Sequence, residues 1–494
     1  MSENGHNHRQ ILANIAHRAM IDRGLIPDFS HDIMVELENL QSYSDQQKLN
    51  PIQNHRDMRS MLWCSIDDDD SLDLDQLTVA EQFPDRSVKI YVAIADVDVL
   101  VKKNTAIDKR AQHNTATVYT VGKIFAMLPE EISTGFTSLN YHEDRSSVVV
   151  EMTINENGSL KDSAVYMGIV NNKAKLAYNS VAAWLEGDAP IPEKAAAIKG
   201  LPENIKLQDA IAQNMKDFRR SQGALSLETV ESRPVFRGDQ ILSMEFEGKN
   251  RARELVANFM IAVNGVTARF LSANNYPSIR RVVSIPQRWD RIVEIASRYQ
   301  YQLPAAPDAK VLEDFLVKQR SADPLRFPDL SLAVIKLLGA GEYTAAPPDG
   351  DLPGHFSLAV KDYGHSTAPN RRFTDLVTQR LLKSAIAKTP LPYTLEELQA
   401  IALNCTKAED AANKVERQVE KSADALLLEN RIGEHFDAII TGAADKGTWV
   451  RLITLPVEGK LMKALNHPDV GDRIKVQLIG VDVDKGFVDF NEIK

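Results

Sequence analysis

The chain has 494 residues, of which 44% are hydrophobic and 26% are charged, and its formal net charge is −10. This composition is ordinary for a globular protein with a large core, and the length favours about three domains. It excludes a uniformly basic exterior, so any contact with nucleic-acid phosphates would need a local cluster of cations. The candidate clusters are Lys249-Asn-Arg251-Ala-Arg253, Arg280-Arg281 and Arg371-Arg372.

The cysteine content and the hydropathy indicate where the protein works. Cys64 and Cys405 are far apart, so they form neither a disulfide framework nor a zinc-binding spacing. Residues 1–10 are polar and lack the apolar region of a signal peptide. There is also no run of about 18 apolar residues, the length that a membrane span requires. We therefore expect a cytoplasmic protein without a membrane partner, and no pattern identifies a protein partner.

Residues 1–58 are predicted to form a short helical arm. Apolar residues have helical spacing from Ile11 to Arg23, and Gly24 is a suitable stop. Ser30 can cap a second helix that runs to about Leu40. Two short helices are compatible with half of a winged-helix nucleic-acid module, but a packing arm is the preferred interpretation.

An acidic stretch between Cys64 and Leu77 contains six carboxylates in the nine positions 67–75. A solvated acidic loop is the default interpretation of such a run. A helix-loop-helix calcium site is excluded, because counting from Asp67 puts Leu72 where glycine is needed and Thr78 where glutamate is needed. A phosphatase-type Asp-x-Asp at Asp73 and Asp75 would require a buried apolar strand directly before it. Residues 68–71 are polar, which argues against this interpretation. The remaining interpretation is a loop in which crowded carboxylates hold a hard divalent cation.

The middle of the chain alternates strand and helix patterns. Val88 to Ala95 is predicted to be a buried strand from its β-branched and aromatic content. A short helix is expected over residues 104–113, and a strand over 146–154 is followed by a hairpin turn at 155–158. Ala252 begins a long amphipathic helix that continues through Asn264.

A second polar stretch runs from His355 to Gln379, with helices predicted over 375–384 and 408–430. Residues 432–494 then form a separate unit of about five short strands, a layout typical of an OB-type barrel. Such barrels bind single-stranded nucleic acid by stacking. Trp449 and Phe436 are the candidate stacking residues, although Phe436 is better explained as part of the barrel core.

These segments, in this order, resemble the RNase II/RNase R (RNB) exoribonuclease family. The carrying motifs are Ile66-Asp67 with Asp73-Leu-Asp75, Ile94-Ala-Asp-Val97, Met127-Leu-Pro-Glu-Glu-Ile-Ser133, and the spacing from Tyr363 through Thr367, Pro369, Arg371, Arg372 and Asp375 to Gln379. The sequence departs from the family pattern at Gly364, Ser366 and Asn370. Gln76 stands where the family has its fourth acidic residue. Residues 432–494 resemble the S1 RNA-binding domain.

The resemblance implies an α+β fold: a large mixed α/β catalytic domain over residues 59–431, the helical arm over 1–58, and the S1-like OB barrel over 432–494. It implies a hydrolytic 3′→5′ exoribonuclease that degrades single-stranded RNA to nucleoside 5′-monophosphates with Mg²⁺, for which Mn²⁺ is a candidate substitute. The alternative is an RNB-like protein that binds RNA but has lost cleavage. The implied metal positions are Asp67, Asp73, Asp75 and Gln76; the implied catalytic residues are Asp73, Asp75 and Arg371; the implied RNA contacts are Tyr119, Glu416, Arg372 and Trp449.

Overall fold

The structure is a computed structural model that describes residues 7–47, 55–228, 231–247, 250–324, 326–444, 447–465 and 471–494. Its helices are α1 (His8–Asp22), α2 (His31–Gln47), α3 (Ala106–Asn114), α4 (Tyr178–Glu186), α5 (Glu193–Ala196), α6 (Leu201–Ser221), α7 (Arg251–Ala273), α8 (Trp289–Arg298), α9 (Ala309–Ala322), α10 (Phe327–Leu338), α11 (Phe373–Ala387) and α12 (Leu395–Leu428).

Most strands belong either to one large sheet or to a C-terminal barrel. The strands are β1 (Arg56–Asp57), β2 (Cys64–Asp67), β3 (Gln76–Gln82), β4 (Val88–Ala95), β5 (Val118–Tyr119), β6 (Ile124–Phe125), β7 (Asp144–Ile154), β8 (Leu160–Asn171), β9 (Ala174–Ala177), β10 (Glu231–Arg237), β11 (Gln240–Glu247), β12 (Ser278–Val282), β13 (Glu342–Ala346), β14 (His435–Ala444), β15 (Gly447–Leu452), β16 (Glu458–Lys463), β17 (Arg473–Asp482) and β18 (Phe487–Ile493).

The large sheet has seven strands in the order β1-β8-β7-β4-β3-β2-β9. Its centre is β4, which has the predicted bounds and is buried along almost its whole length. Such burial on both faces suits the Val and Ile content of the strand. The predicted hairpin is also confirmed, because β7 pairs antiparallel with β8 across a turn in which Gly158 takes a positive φ of 84°. A side chain is disfavoured in that backbone conformation.

Helix α7 packs under this sheet and carries the apolar face that the sequence predicts. Leu255, Phe259 and Val263 are buried in the main core. By length and composition alone the helix could span a membrane, since the mean hydropathy of its most apolar window is 1.3. However, 61% of that window is buried inside the protein, as in a core helix.

Helix α12 begins at Leu395 rather than at the predicted Ala408. Thr394 and Glu397 form a reciprocal capping box at its start, which stabilises a helix by satisfying its first free amide groups. Helix α1 packs against α12 through Leu12 and Ile15, which share a core cluster with Val415 and Val419. This contact supports the interpretation of the N-terminal region as a packing arm.

The C-terminal barrel is closed, with the strand order β14-β15-β16-β18-β17. Phe436 is only 8% exposed and packs edge-to-face with Phe490, so its assignment to the barrel core is confirmed. The structure therefore has the predicted fold class, which is a mixed α+β body with a small OB-like barrel. The division of the chain at residues 58 and 431 remains a proposal.

Candidate active site

The acidic stretch forms a loop, residues 67–75, that connects two neighbouring strands of the large sheet. Asp67 ends β2, and Asp75 immediately precedes β3. Because β2 and β3 are paired antiparallel, the end of β2 and the start of β3 are neighbours, and both ends of the loop lie on the same side of the sheet's strand ends. Leu74 and Leu77 are buried on the face of the sheet opposite α7, and their packing there fixes the position of the end of the loop. The stretch is therefore not simply a solvated acidic loop.

Asp75 is the most deeply placed carboxylate of this loop, with 2% of the residue exposed. It accepts a hydrogen bond from the Asn370 backbone amide at 3.1 Å and one from Arg371 Nε at 3.2 Å. Burial raises the pKa of Asp75 to about 7, because the Arg371 charge offsets only part of the cost of desolvation and Asp73 adds repulsion. Asp75 is thus a buried carboxylate whose charge depends on a neighbouring cation.

Arg371 is brought to Asp75 by a loop that is far away in sequence. Asp375, fully buried at the start of α11, accepts two hydrogen bonds from Arg372 and one from the Ala368 amide, which anchors the loop. The Arg371 side chain remains 42% exposed, and its Nη groups, which donate no hydrogen bond to the part of the chain that the structure describes, can meet a ligand. Burial opposes the charge of Arg371, but the carboxylate of Asp75 outweighs it and raises the Arg371 pKa.

Asp67 and Asp73 lie beside this pair. Asp67 accepts a hydrogen bond from the Asp68 backbone amide at 2.8 Å, and burial raises its pKa. Asp73 accepts hydrogen bonds from Ser71 Oγ at 3.2 Å and from the Tyr119 hydroxyl at 3.3 Å. We call Asp67, Asp73, Asp75, Arg371 and Tyr119 the acidic site.

Tyr119 and Glu416, which the sequence assigns separately to RNA contacts, touch each other. The backbone amide of Tyr119 donates to Glu416 Oε1 at 2.8 Å, which connects β5 to α12. The ring of Tyr119 stays accessible, with 43% of the residue exposed. Burial of the hydroxyl, with added repulsion from Asp73, raises the pKa of Tyr119. An accessible ring held by its backbone is suited to stacking on a base.

The predicted metal positions do not form a ready-made metal centre in the described part of the chain. Within the described ranges, no three His, Cys, Asp or Glu side chains lie close enough together to hold a metal ion. Gln76 is the first residue of β3, half-buried and paired with Ile94. The donor chemistry nevertheless fits a hard cation, since the acidic site offers carboxylate oxygens whose mutual repulsion such an ion would relieve. An ion bound here would need further ligands from water or from substrate phosphate.

The predicted cationic clusters have different fates. Arg280 is 7% exposed and donates to Ser278 and to the Ala268 carbonyl, so the structure gives it internal partners, and its candidate contact with phosphate stays a prediction. Arg281 is paired with Glu409. Arg372 is occupied by Asp375, so the structure gives it an anchoring contact while its predicted contact with RNA remains untested. Lys249 lies outside the described residues.

The three departures in the second polar stretch are accommodated by local contacts. Ser366 donates its backbone amide and its hydroxyl to Asn264 Oδ1, at 2.9 Å and 3.0 Å. Asn370 Oδ1 accepts a hydrogen bond from Thr137 Oγ1, and the backbone amide of Asn370 donates to Asp75. Gly364 lies against the Ile279 carbonyl, which a Cβ atom would approach to 2.9 Å. The departures therefore do not dismantle the loop that carries Arg371.

One residue near the acidic site, Tyr178, was not predicted from the sequence to be functional, and another, Arg253, was predicted only as a member of a candidate phosphate-binding cluster. Tyr178 begins α4 directly after β9, the strand that pairs with β2. Burial raises the pKa of Tyr178, and Asp67 and Asp68 raise it further. Only the parallel pairing of β9 with β2, which no local pattern reveals, could have placed Tyr178 beside Asp67.

Trp449 is on β15 in the barrel and is half-buried. It pairs with Gly442 on β14, and a Cβ atom at Gly442 would be 3.5 Å from the indole ring. The ring therefore lies across a strand that has no side chain at that point. Trp449 keeps a partly accessible aromatic face, but it belongs to the barrel and is not part of the acidic site.

A large α+β body with a carboxylate-rich site, followed by an OB-like barrel, defines a class of nucleic-acid-processing proteins. Comparisons with known proteins place the chain more narrowly. The family described as RNB domain matches residues 55–388, and the RNase II-type exonuclease C-terminal S1 domain matches residues 434–492. Because the first match covers more than half of the chain, the protein belongs to the RNB-domain family.

Individual relatives agree with this assignment. The chain is 28% identical to Ribonuclease R of Aquifex aeolicus over 477 residues, which covers 90% of this chain and 65% of the relative. It is 27% identical to Ribonuclease R of Vibrio parahaemolyticus, covering 89% of this chain and 56% of that protein. The chain thus spans less than two thirds of the length of these relatives.

A solved structure shows the same fold. Mycoplasma genitalium RNase R in complex with ribose-methylated single-stranded RNA superimposes with a TM-score of 0.86 at 21% identity, covering 98% of this chain and 78% of that chain. The predicted fold and the predicted family are both confirmed.

Proposed function

We propose that the protein is a hydrolytic 3′→5′ exoribonuclease that degrades single-stranded RNA and releases nucleoside 5′-monophosphates. The observation that carries this proposal is the contact between buried Asp75 and half-exposed Arg371. Beside it, the accessible Tyr119 donates its hydroxyl to Asp73. Relatives named Ribonuclease R and an RNase R structure holding single-stranded RNA support the class of substrate.

Hydrolysis of a phosphodiester requires an oriented water molecule and neutralisation of the charge that builds up on the phosphoryl oxygens. Arg371 can donate two parallel hydrogen bonds to those oxygens, while Asp75 fixes its Nε. Asp73 and Asp67 can orient the attacking water through the lone pairs of their carboxylate oxygens that the Ser71, Tyr119 and Asp68 hydrogen bonds leave available. The ring of Tyr119 can stack on the terminal base whichever of the four bases it is. These roles divide binding from chemistry within the acidic site.

The proposed cofactor is Mg²⁺, with Mn²⁺ as a substitute. Asp67, Asp73 and Asp75 would contribute carboxylate oxygens and Gln76 an amide oxygen, and a bound ion would lower the pKa of a water molecule and clamp attacking and leaving oxygens. Because no three acidic, His or Cys side chains of the described residues form a ready-made centre, we propose that phosphate and water complete the coordination. Tight metal binding should therefore require RNA.

The remaining parts of the chain would capture substrate. We propose that Trp449 on the barrel stacks on a base upstream of the cleaved end, since OB-type barrels bind single strands through aromatic rings. Glu416 would act by holding the backbone of Tyr119 in place. The lack of a disulfide and the burial of both cysteines fit our proposal that the protein works in the cytoplasm.

One alternative function has a specific observation in its favour. Gln76 carries no charge at the position of the fourth family acid, and the described acidic side chains do not form a compact metal centre. Both features suit an RNA-binding protein that no longer cleaves. The contact of Arg371 with Asp75 favours the nuclease, because a protein that only binds RNA does not need this arrangement.

A 5′-labelled single-stranded 30-mer RNA distinguishes the two functions. With Mg²⁺ or Mn²⁺, we expect a descending ladder or a direct jump to short end products, with nucleoside 5′-monophosphates released. EDTA should stop the reaction. An intact RNA that shifts on a native gel at every metal concentration would instead identify the binding protein. Internal fragments that appear before the 3′ end has been shortened would contradict exonucleolytic cleavage from the 3′ end.

Arg371→Lys tests the use of the guanidinium group. Lysine keeps the positive charge but cannot donate two parallel hydrogen bonds, so we expect turnover under saturating RNA to fall about tenfold. The matched control is Arg291→Lys, an arginine in an exposed ion pair with Glu294 on α8, which should keep the parental rate. Equal turnover of Arg371→Lys and the parent would show that only the charge at position 371 matters.

A further inference from the structure

An arginine outside the acidic site forms an ion pair with the loop that carries the predicted catalytic carboxylates. Arg253, in the first turn of α7, lies with its Nη2 2.6 Å from Asp68 Oδ1. Both side chains remain accessible, with 34% of Arg253 and 53% of Asp68 exposed. Exposed ion pairs of this kind contribute little to stability and are readily exchanged for another partner.

This ion pair borders the acidic site. The guanidinium carbon of Arg253 is 5.3 Å from the ring centroid of Tyr178. The charges of Asp67, Asp68, Arg371 and Arg253 all act on the Tyr178 hydroxyl. Asp68 is also directly joined to the site, because its backbone amide donates to Asp67 Oδ1 at 2.8 Å. Arg253 is therefore a second cation on the same side of the acidic loop as the predicted ligand Asp67.

The neighbouring Arg251 shows what a purely structural arginine looks like on the same turn of helix. Arg251 donates from Nε and Nη2 to both carboxylate oxygens of Asp209, at 3.0 Å and 2.8 Å. The Asp209 side chain is only 8% exposed, so this two-bond ion pair is not readily exchanged for another partner. One partner of Arg253 is instead Asp68, an exposed carboxylate at the rim of a proposed phosphate-cleaving site.

We propose that Arg253 binds a phosphodiester group of the incoming RNA strand, and that Asp68 occupies its guanidinium as an internal anion until the RNA displaces it. A carboxylate and a phosphate present similar paired oxygens to the guanidinium fork, so one can replace the other. Asp68 then swings into solvent. This proposal rests on the proposed function, since it assumes that RNA enters the acidic site.

The proposal predicts opposite effects for the two partners of one ion pair. Loss of Arg253 removes an RNA contact, so Arg253→Gln should weaken binding and make the slope of log K against log salt shallower by about 0.7, the value for one phosphate contact on a single strand. Loss of Asp68 removes a competitor, so Asp68→Asn should tighten binding about two- to fivefold, the value of an exposed ion pair. A purely structural pair would give weaker or unchanged binding in both variants.

The experiment measures binding of a labelled single-stranded 20-mer RNA by fluorescence anisotropy over a range of salt concentrations. The full chain carrying Asp75→Asn, in EDTA, keeps the RNA intact. The matched controls are Arg291→Gln and Glu294→Gln, which break an exposed ion pair on α8 and change the net charge equally. Arg253→Lys should keep the salt slope but lose affinity, and in Arg253→Gln the Asp68→Asn change should no longer tighten binding.

The outcomes separate this inference from the proposed function. Tighter binding by Asp68→Asn, with unchanged controls, supports the exchange. Unchanged or weaker binding by Asp68→Asn overturns it, even if the chain binds and degrades RNA normally. Equal tightening by Glu294→Gln also overturns it, because only net charge would then matter. If the chain binds no RNA at all, the proposed function fails together with the inference.

Discussion

Replacing Asp75 with asparagine should lower the single-turnover rate of RNA cleavage by at least about 10², the scale for loss of one aimed electrostatic group. The amide can still accept the hydrogen bond from the Asn370 backbone, so the loop should keep its shape. What is lost is the negative charge that faces Arg371 and that would help to hold a cation. Binding of RNA by Asp75→Asn should therefore persist while turnover falls.

Asp70→Asn is the matched control, since it makes the same chemical change in the same loop at an exposed position. It should leave the cleavage rate within about twofold of the parent, as expected for a solvated surface carboxylate. Circular dichroism spectra of both variants check that they are folded. A near-parental rate in folded Asp75→Asn would remove Asp75 from the proposed chemistry.

The second large effect is on stability and involves Asp375. Its carboxylate is fully buried and receives two hydrogen bonds from Arg372, one from the Ala368 amide and one from Thr374. Asp375→Ala leaves the charge of Arg372 without its partner, and breaking such a pair by removing one member costs about 3–5 kcal/mol. We expect this loss in the free energy of unfolding, measured by urea denaturation.

The control for Asp375→Ala is Glu294→Ala, which removes the carboxylate from an exposed Arg–Glu pair with the same i,i+3 spacing. That change should cost less than about 1 kcal/mol. If the two variants lose equal stability, the buried pair does not anchor the loop. Because Arg371 is part of that loop, Asp375→Ala should also lower RNA cleavage at temperatures at which the chain is still folded.

Local patterns were sufficient to predict the elements that build the site. The β-branched run from Val88 to Ala95 predicted β4 with its observed bounds. Gly24 and the spacing before it predicted the end of α1, and the acidic spacing predicted which carboxylates would flank a loop. These predictions succeeded because strand and helix periodicity are written in neighbouring residues.

The sequence did not reveal the partners of charged residues or the full length of one helix. Arg280 and Arg371 both lie in Arg-Arg pairs, yet one is buried against a carbonyl and the other faces Asp75. The helix α12 was predicted too short, because its capping box at Thr394 and Glu397 lies before the predicted start at Ala408. A charged side chain does not reveal from its neighbours whether it will be covered, since covering depends on elements far away in the chain.

The sequence by itself therefore determined the family, the order of the elements and the set of candidate carboxylates. The tertiary structure decided the environment of each of these carboxylates. Asp75 and Arg371 are separated by 296 residues, and they meet only because the anchored loop before α11 folds over the edge of the sheet. That contact, and the burial that raises the pKa of Asp75 to about 7, arises from long-range packing, which changes the solvation of a carboxylate without changing its neighbours in sequence.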